Sequence, residues 1–148
     1  MTQSISPKNI ILYADDDMDD LQLVEDAFSN FATNVDVVTV SDGMKALNYL
    51  KALKPLQAKP CLIILDINMP RVNGKEVLQE IRRTQEYKDI PVVLFTTSSL
   101  EQDKEFALRH NAGLITKPLD VRQMEMITLE FIDHCAEDIR KLIRRQVK

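Results

Sequence analysis

The chain has few cysteines, no surplus of positive charge and no long apolar run, and each shortage removes a class of function. Two cysteines, Cys61 and Cys135, occur in 148 residues. Two thiols supply neither a disulfide framework nor a zinc ligand set, so both read as small buried apolar groups. The formal net charge is -4, whereas a dedicated nucleic-acid binder would carry a basic face. No stretch reaches the roughly 20 apolar residues that cross a bilayer, and residues 1–8 lack the apolar core of a cleavable leader. These features place the chain, as an expectation, in a reducing cytoplasm without membrane contact. Its length suits one compact domain with a real core.

Periodicity alternates along the chain. Short β-branched runs flanked by turn signals precede segments with apolar residues at helical spacing, the pattern of an α/β fold with a parallel sheet. Strands are expected near residues 10–14, 35–40, 61–65, 92–95 and 114–116. The run at 61–65 is apolar throughout, as suits a central strand covered on both faces. A helix over about 19–31 carries Leu21, Val24, Phe28 and Phe31 on one face. A second, opened by Ser41-Asp42-Gly43, carries Ala46, Leu47 and Leu50 and stops near Lys54-Pro55. A third carries Val77, Leu78 and Ile81, and a fourth runs to His110 with Ser99 as its expected N-cap. Residues 120–148 contain no proline or glycine and are expected to form one helix of about seven or eight turns.

Charged groups lie just past three of these strands: Asp15 and Asp16, Asp66, and Lys117. In an open parallel sheet such positions converge in one crevice. Carboxylates gathered there repel one another unless a cation joins them. The plainer reading, helix N-terminal charge favoured by the macrodipole, suffices for Asp19 and Asp20 but not for the strand-end pair. An EF-hand is excluded, because Asp20 stands where its loop needs glycine and Asp26 where it needs glutamate. Asp66 follows five apolar residues, and a carboxylate buried there is costly unless paired or coordinated. Magnesium keeps several waters, so Asp16 and Asp66 with one backbone carbonyl would leave room for a phosphoryl oxygen, and Asp66 would be the nucleophile. Lys117 is either a surface lysine ahead of Pro118 or an ammonium that pairs first with Asp66, aimed by a cis Lys117-Pro118 bond. Thr96 is either a strand-favouring residue or a hydroxyl donor to the phosphoryl group.

Together these residues resemble the receiver domain of two-component response regulators over residues 9–131. The likeness rests on Ile-Leu-Tyr-Ala-Asp-Asp-Asp at 11–17, Leu-Ile-Ile-Leu-Asp-Ile-Asn-Met-Pro at 62–70 with Asn73-Gly74, Pro-Val-Val-Leu-Phe-Thr-Thr at 91–97 and Thr-Lys-Pro at 116–118. It implies a doubly wound, flavodoxin-like five-stranded sheet in order 2-1-3-4-5. It further implies Asp66 as phosphoacceptor, Asp15 and Asp16 as the acidic pair, and a Mg2+ site of Asp16, Asp66, the Asn68 backbone carbonyl and Asp15 through water. Lys117 would contact the phosphoryl group and Thr96 would move toward it. The donor would be a phosphohistidine on a histidine kinase or phosphotransfer protein, and the output a protein partner or onward relay of phosphate, as in stand-alone members. The family's usual aromatic residue on the fifth strand is replaced by Leu114, which removes the aromatic half of the switch.

A haloacid-dehalogenase-like phosphatase shares the strand-end aspartate, magnesium and lysine. Against that alternative, Asn68 replaces its general-acid carboxylate and Pro70 its threonine. A phosphorylation-independent interaction module would need a missing site residue, and all are present. Residues 132–148 are read as a helical extension continuous with the last helix. Its Leu129, Ile132, Ala136, Ile139 and Ile143 could form a short homodimeric coiled-coil seam or fold back on the domain. Arg140, Lys141, Arg144, Arg145 and Lys148 suit a helix C-terminus better than a nucleic-acid contact.

Overall fold

The computed structural model describes residues 9–55, 57–118 and 121–145. Among these, the strands are β1 (Asn9–Ala14), β2 (Ala32–Thr33), β3 (Val35–Val40), β4 (Leu62–Leu65), β5 (Val92–Thr96), β6 (Gly113–Thr116) and β7 (Arg144–Arg145). The helices are α1 (Met18–Phe31), α2 (Gly43–Lys51), α3 (Gly74–Arg83), α4 (Glu101–Arg109), α5 (Met124–Asp133) and α6 (Glu137–Leu142).

Five strands form one parallel sheet in the order β3-β1-β4-β5-β6. Counted by its own members this is the expected 2-1-3-4-5. Successive strand side chains point to opposite faces, and that alternation divides the core. Ile11, Tyr13, Leu62, Ile64, Val93 and Phe95 pack against Leu21, Val24 and Phe28 of α1 and Ile127 and Phe131 of α5. Their neighbours Leu12, Ala14, Ile63, Leu65, Val92 and Leu94 pack against Ala46, Leu47 and Leu50 of α2 and Val77, Leu78 and Ile81 of α3. All four residues of β4 are buried, as its uninterrupted apolar sequence requires.

Local chemistry fixes where the helices begin. Asp17 caps α1 by accepting the N–H groups of Asp19 at 2.9 Å and Asp20 at 3.2 Å. Asn73 and Glu76 form a reciprocal capping box at the start of α3, with bonds of 2.9 and 3.1 Å. Ser99 is not the cap of α4. Leu100 holds that position without a side-chain bond, and the hydroxyl of Ser98 accepts the Leu100 N–H at 3.2 Å.

At the pole where the strands begin, the half-buried Arg82 binds four backbone carbonyls. It donates to His110 and Ile90 at 2.8 Å, Lys88 at 2.9 Å and Asn111 at 3.0 Å. One guanidinium thereby ties the end of α3 to the approaches of β5 and β6.

The expected unbroken C-terminal helix is not formed. Asp120 and residues 146–148 lie outside the described residues, as do residues 1–8. Within the described part, α5 ends at Asp133 and α6 starts again at Glu137 after Ala136 takes an extended ψ of 152°. Burial explains the break better than helix propensity. Ile132, Cys135 and Ile143 are all buried in the core beside α1, and Ile139 packs against it. A straight helix would carry Ile143 away from the sheet, forfeiting about 1.5–3 kcal/mol for that side chain. The bend also lets β7 pair antiparallel with β2, Ala32 opposite Arg145 and Thr33 opposite Arg144. The apolar stripe considered as a coiled-coil seam is therefore spent largely within its own chain. Cys61 and Cys135 are both free thiols, the first half-buried and the second buried.

Candidate functional site

The parallel ladders continue one residue past the strand ends and set the site in register. Asp15 N–H donates to Val40 O at 3.1 Å, Asp66 N–H to Ala14 O at 3.0 Å and Lys117 N–H to Thr96 O at 2.7 Å. Backbone hydrogen bonding alone thus delivers the two carboxylates and the ammonium to one edge, the crevice beyond the carboxyl ends of the strands.

Carboxylate oxygens of Asp15, Asp16 and Asp66 lie within 4.8 Å of one another. Asp15 is fully buried, Asp66 is nearly so, and Asp16 is exposed. Oxygen donors of this hardness and spacing suit a divalent cation such as Mg2+, Mn2+ or Ca2+. Asn68 follows on the same loop with its side chain exposed.

Lys117 sits among the carboxylates, but its closest partners are not those expected. Its Nζ donates to Asp15 Oδ2 at 2.7 Å and Asp20 Oδ2 at 2.8 Å, while Asp66 Oδ1 stands 3.7 Å away. The reason is location. Asp20, in the first turn of α1, overhangs the cleft, and Asp15 lies deeper than Asp66, so the ammonium settles between those two. Nor does a cis bond aim it, since no cis peptide occurs among the described residues. Tyr13 completes the shell: its hydroxyl donates to Asp15 Oδ2 at 2.5 Å, and the Asp17 N–H donates to Asp15 Oδ1 at 2.9 Å.

The charge state follows from this packing. Burial first, then the adjacent Asp15 charge, pushes the Asp66 carboxyl up to about 7, with Lys117 partly offsetting both. Burial pulls the Lys117 ammonium down, but the Asp15 and Asp20 carboxylates outweigh it and hold the ammonium firmly protonated. Burial and Asp15 drive the Tyr13 hydroxyl well above the usual phenol range, so it remains a donor.

Thr96 ends β5 fully buried, and its Oγ1 accepts the Ser98 N–H at 3.1 Å. Leu114 is half-buried in β6, opposite Leu94, and packs on the α2/α3 core. Tyr13 and Asp20 were the residues that sequence reasoning passed over as site members. Strand alternation carried a signal for Tyr13, two residues before Asp15 and therefore on its side of the sheet. Asp20 carried only the ordinary signal of a helix N-terminal acid.

The loop after Asp66 is held by close backbone approach. Gly74 N–H donates to Ile67 O at 2.9 Å, and a Cβ at residue 74 would lie 2.1 Å from the Asp66 carbonyl oxygen. We expect Gly74→Ala to cost about 2–4 kcal/mol in urea denaturation, in the range of severe overpacking, and to weaken divalent-cation binding by displacing the Asp66 loop. Unchanged cation affinity in a destabilised Gly74→Ala protein would separate the two effects.

Known proteins are similar to this chain in sequence and in fold. Residues 11–128 match the response regulator receiver domain model. Response regulator Rcp1 of Synechocystis sp. is 33% identical over 105 residues, spanning 70% of this chain and 71% of its own. The crystal structure of the phosphorylated cyanobacterial phytochrome response regulator RcpA superposes with a TM-score of 0.78 at 32% identity, covering 88% of this chain and 96% of that one. The Mn2+-bound form of Rcp1 gives a TM-score of 0.73 at 28% identity over 82% of this chain and 90% of that one. The ladder-aligned acidic cleft, the sheet order and these likenesses lead to one conclusion: the chain belongs to the response regulator receiver domain family of two-component signalling.

Proposed function

We propose that this protein is a phosphorylation-driven switch in which Asp66 accepts a phosphoryl group from the phosphohistidine of a histidine kinase or phosphotransfer protein. The observation that carries this reading is the convergence of Asp15, Asp16 and Asp66 within 4.8 Å, with the Lys117 ammonium beside them. In the transfer, an Asp66 carboxylate oxygen attacks phosphorus in line, a P–O bond forms, the P–N bond breaks and imidazole leaves. Asp16, Asp66, the Asn68 backbone carbonyl and, through water, Asp15 would hold Mg2+, which when bound neutralises charge on the phosphoryl oxygens. Lys117, already 3.7 Å from Asp66 Oδ1, releases Asp15 and Asp20 in part to bind a phosphoryl oxygen. Thr96 offers its hydroxyl to another oxygen, and two loop arrangements of similar energy are thereby biased toward one. Leu114, aliphatic where the family resemblance leads us to expect an aromatic ring, repacks without supplying a ring flip.

The phosphorylated state named for RcpA and the bound cation named for Rcp1 support extending both features to this chain. The protein would act on its own aspartate and then on a protein partner or relay, without turning over a separate substrate. Among the described residues no helix is long and apolar enough to cross a membrane. Radiolabelled acetyl phosphate with Mg2+ is expected to label the wild type and to leave Asp66→Ala unlabelled. Equal labelling of the two, or labelling that survives EDTA, would overturn the assignment.

A further inference from the structure

Outside the acidic cleft a second charged group is buried, and the reaction just described does not use it. Asp103 sits in the first turn of α4, where an acid is ordinarily a solvated complement to the helix dipole. Glu101, in the same turn, is exposed in that way, but Asp103 is only 4% accessible. A carboxylate is withdrawn from water this far only when its partners compensate. Its Oδ1 lies 2.5 Å from Lys75 Nζ, and its Oδ2 accepts the Ser98 hydroxyl at 2.5 Å. The Lys75 ammonium also stands 5.2 Å from the Phe106 ring centroid. First the Lys75 bond and then the Ser98 bond hold the Asp103 carboxyl below the usual carboxylate range.

The positions of these partners give the cluster its meaning. Lys75 follows Gly74, whose backbone packs against the Asp66 carbonyl. Ser98 is two residues past Thr96, and its backbone N–H is bonded to Thr96 Oγ1 at 3.1 Å. That bond occupies a lone pair of the threonine oxygen and leaves its O–H free to donate elsewhere. The cluster therefore joins the first turn of α3, where the loop after Asp66 ends, to the loop after Thr96.

We propose that Asp103, held by Lys75, is a positioning residue that, through Ser98, orients the Thr96 hydroxyl as donor to a phosphoryl group on Asp66. The inference rests on the phosphoacceptor reading above. It differs from a purely structural role in acting only through Thr96.

Beryllofluoride, a phosphoryl stand-in, titrated into the full chain at saturating Mg2+ and followed by fluorine NMR, tests this. Asp103→Ala is expected to weaken beryllofluoride binding roughly tenfold, about the worth of one well-placed hydrogen bond, with Mg2+ affinity measured separately and unchanged. Asp103→Asn, which can still accept from Ser98, should recover most of the loss. On a Thr96→Ala background, Asp103→Ala should cause no further loss, because the group it positions is already gone. A full tenfold loss persisting on that background, or equal affinities for Asp103→Ala and wild type, would overturn the proposal. Should Asp103→Ala fail to fold, Ser98→Ala carries the same comparison at a less buried position. A folded, Mg2+-saturated wild type that takes up no beryllofluoride would instead remove the phosphoacceptor reading itself.

Discussion

Replacing Asp66 with asparagine is expected to abolish phosphoryl labelling and, in metal-free buffer at pH 8, to make the protein more stable by about 1–3 kcal/mol. The gain follows from the electrostatics of the cleft. Burial and the Asp15 charge push the Asp66 carboxyl from 3.8 up to about 7. Between those values the native state binds a proton that the unfolded chain has released, so the Asp66 contribution to stability is full below about pH 4 and is lost as pH rises through 7. Asparagine has nearly the same shape and no charge, so this contribution to the slope disappears. Urea denaturation with EDTA at pH 5 and pH 8 should show the wild type losing more stability than Asp66→Asn over that interval. Parallel losses would show that Asp66 is ionised throughout. Added Mg2+ should restore the wild type at pH 8 by linkage to the ionised cleft and do little for the variant.

The second large effect belongs to Lys117. Its ammonium bonds the fully buried Asp15 at 2.7 Å and Asp20 at 2.8 Å. In Lys117→Met, Asp15 keeps the Tyr13 hydroxyl and the Asp17 N–H but no positive charge. Breaking a buried pair from one side costs about 3–5 kcal/mol. For a chain of this size that corresponds to a melting temperature lower by roughly 10 °C. The double variant Lys117→Met/Asp15→Asn should recover a good part of the loss, because the stranded carboxylate is then gone. A calorimetric shift of under about 2 °C for Lys117→Met would mean that solvent already screens the pair.

The fold was readable because the features that determine it are local. The apolar run at 61–65 announces a strand covered on both faces, and Asp15 and Asp66 are placed by the ladders that continue past the strand ends, not by side-chain choice. The distribution of Lys117 among three carboxylates was not readable, since it depends on Asp20 projecting from a different element by about the reach of one side chain. Asp103 was equally silent, because its partners lie 28 and 5 positions away and nothing in either segment marks it as buried. The C-terminal region misled for another reason. A lack of proline and glycine permits a continuous helix, but the supply of apolar surface on the sheet decides where it must turn, and that supply is visible only after folding. The same turn explains how Ile143 could fit a heptad and yet close the core beside α1.

The four carbonyls gathered by Arg82 make the two ends of the sheet mechanically unequal. Lysine, a single point charge without a planar fork, could not serve them together. The acidic loops thus lie at the pole opposite the one where a single guanidinium fixes the end of α3 to the segments leading into β5 and β6.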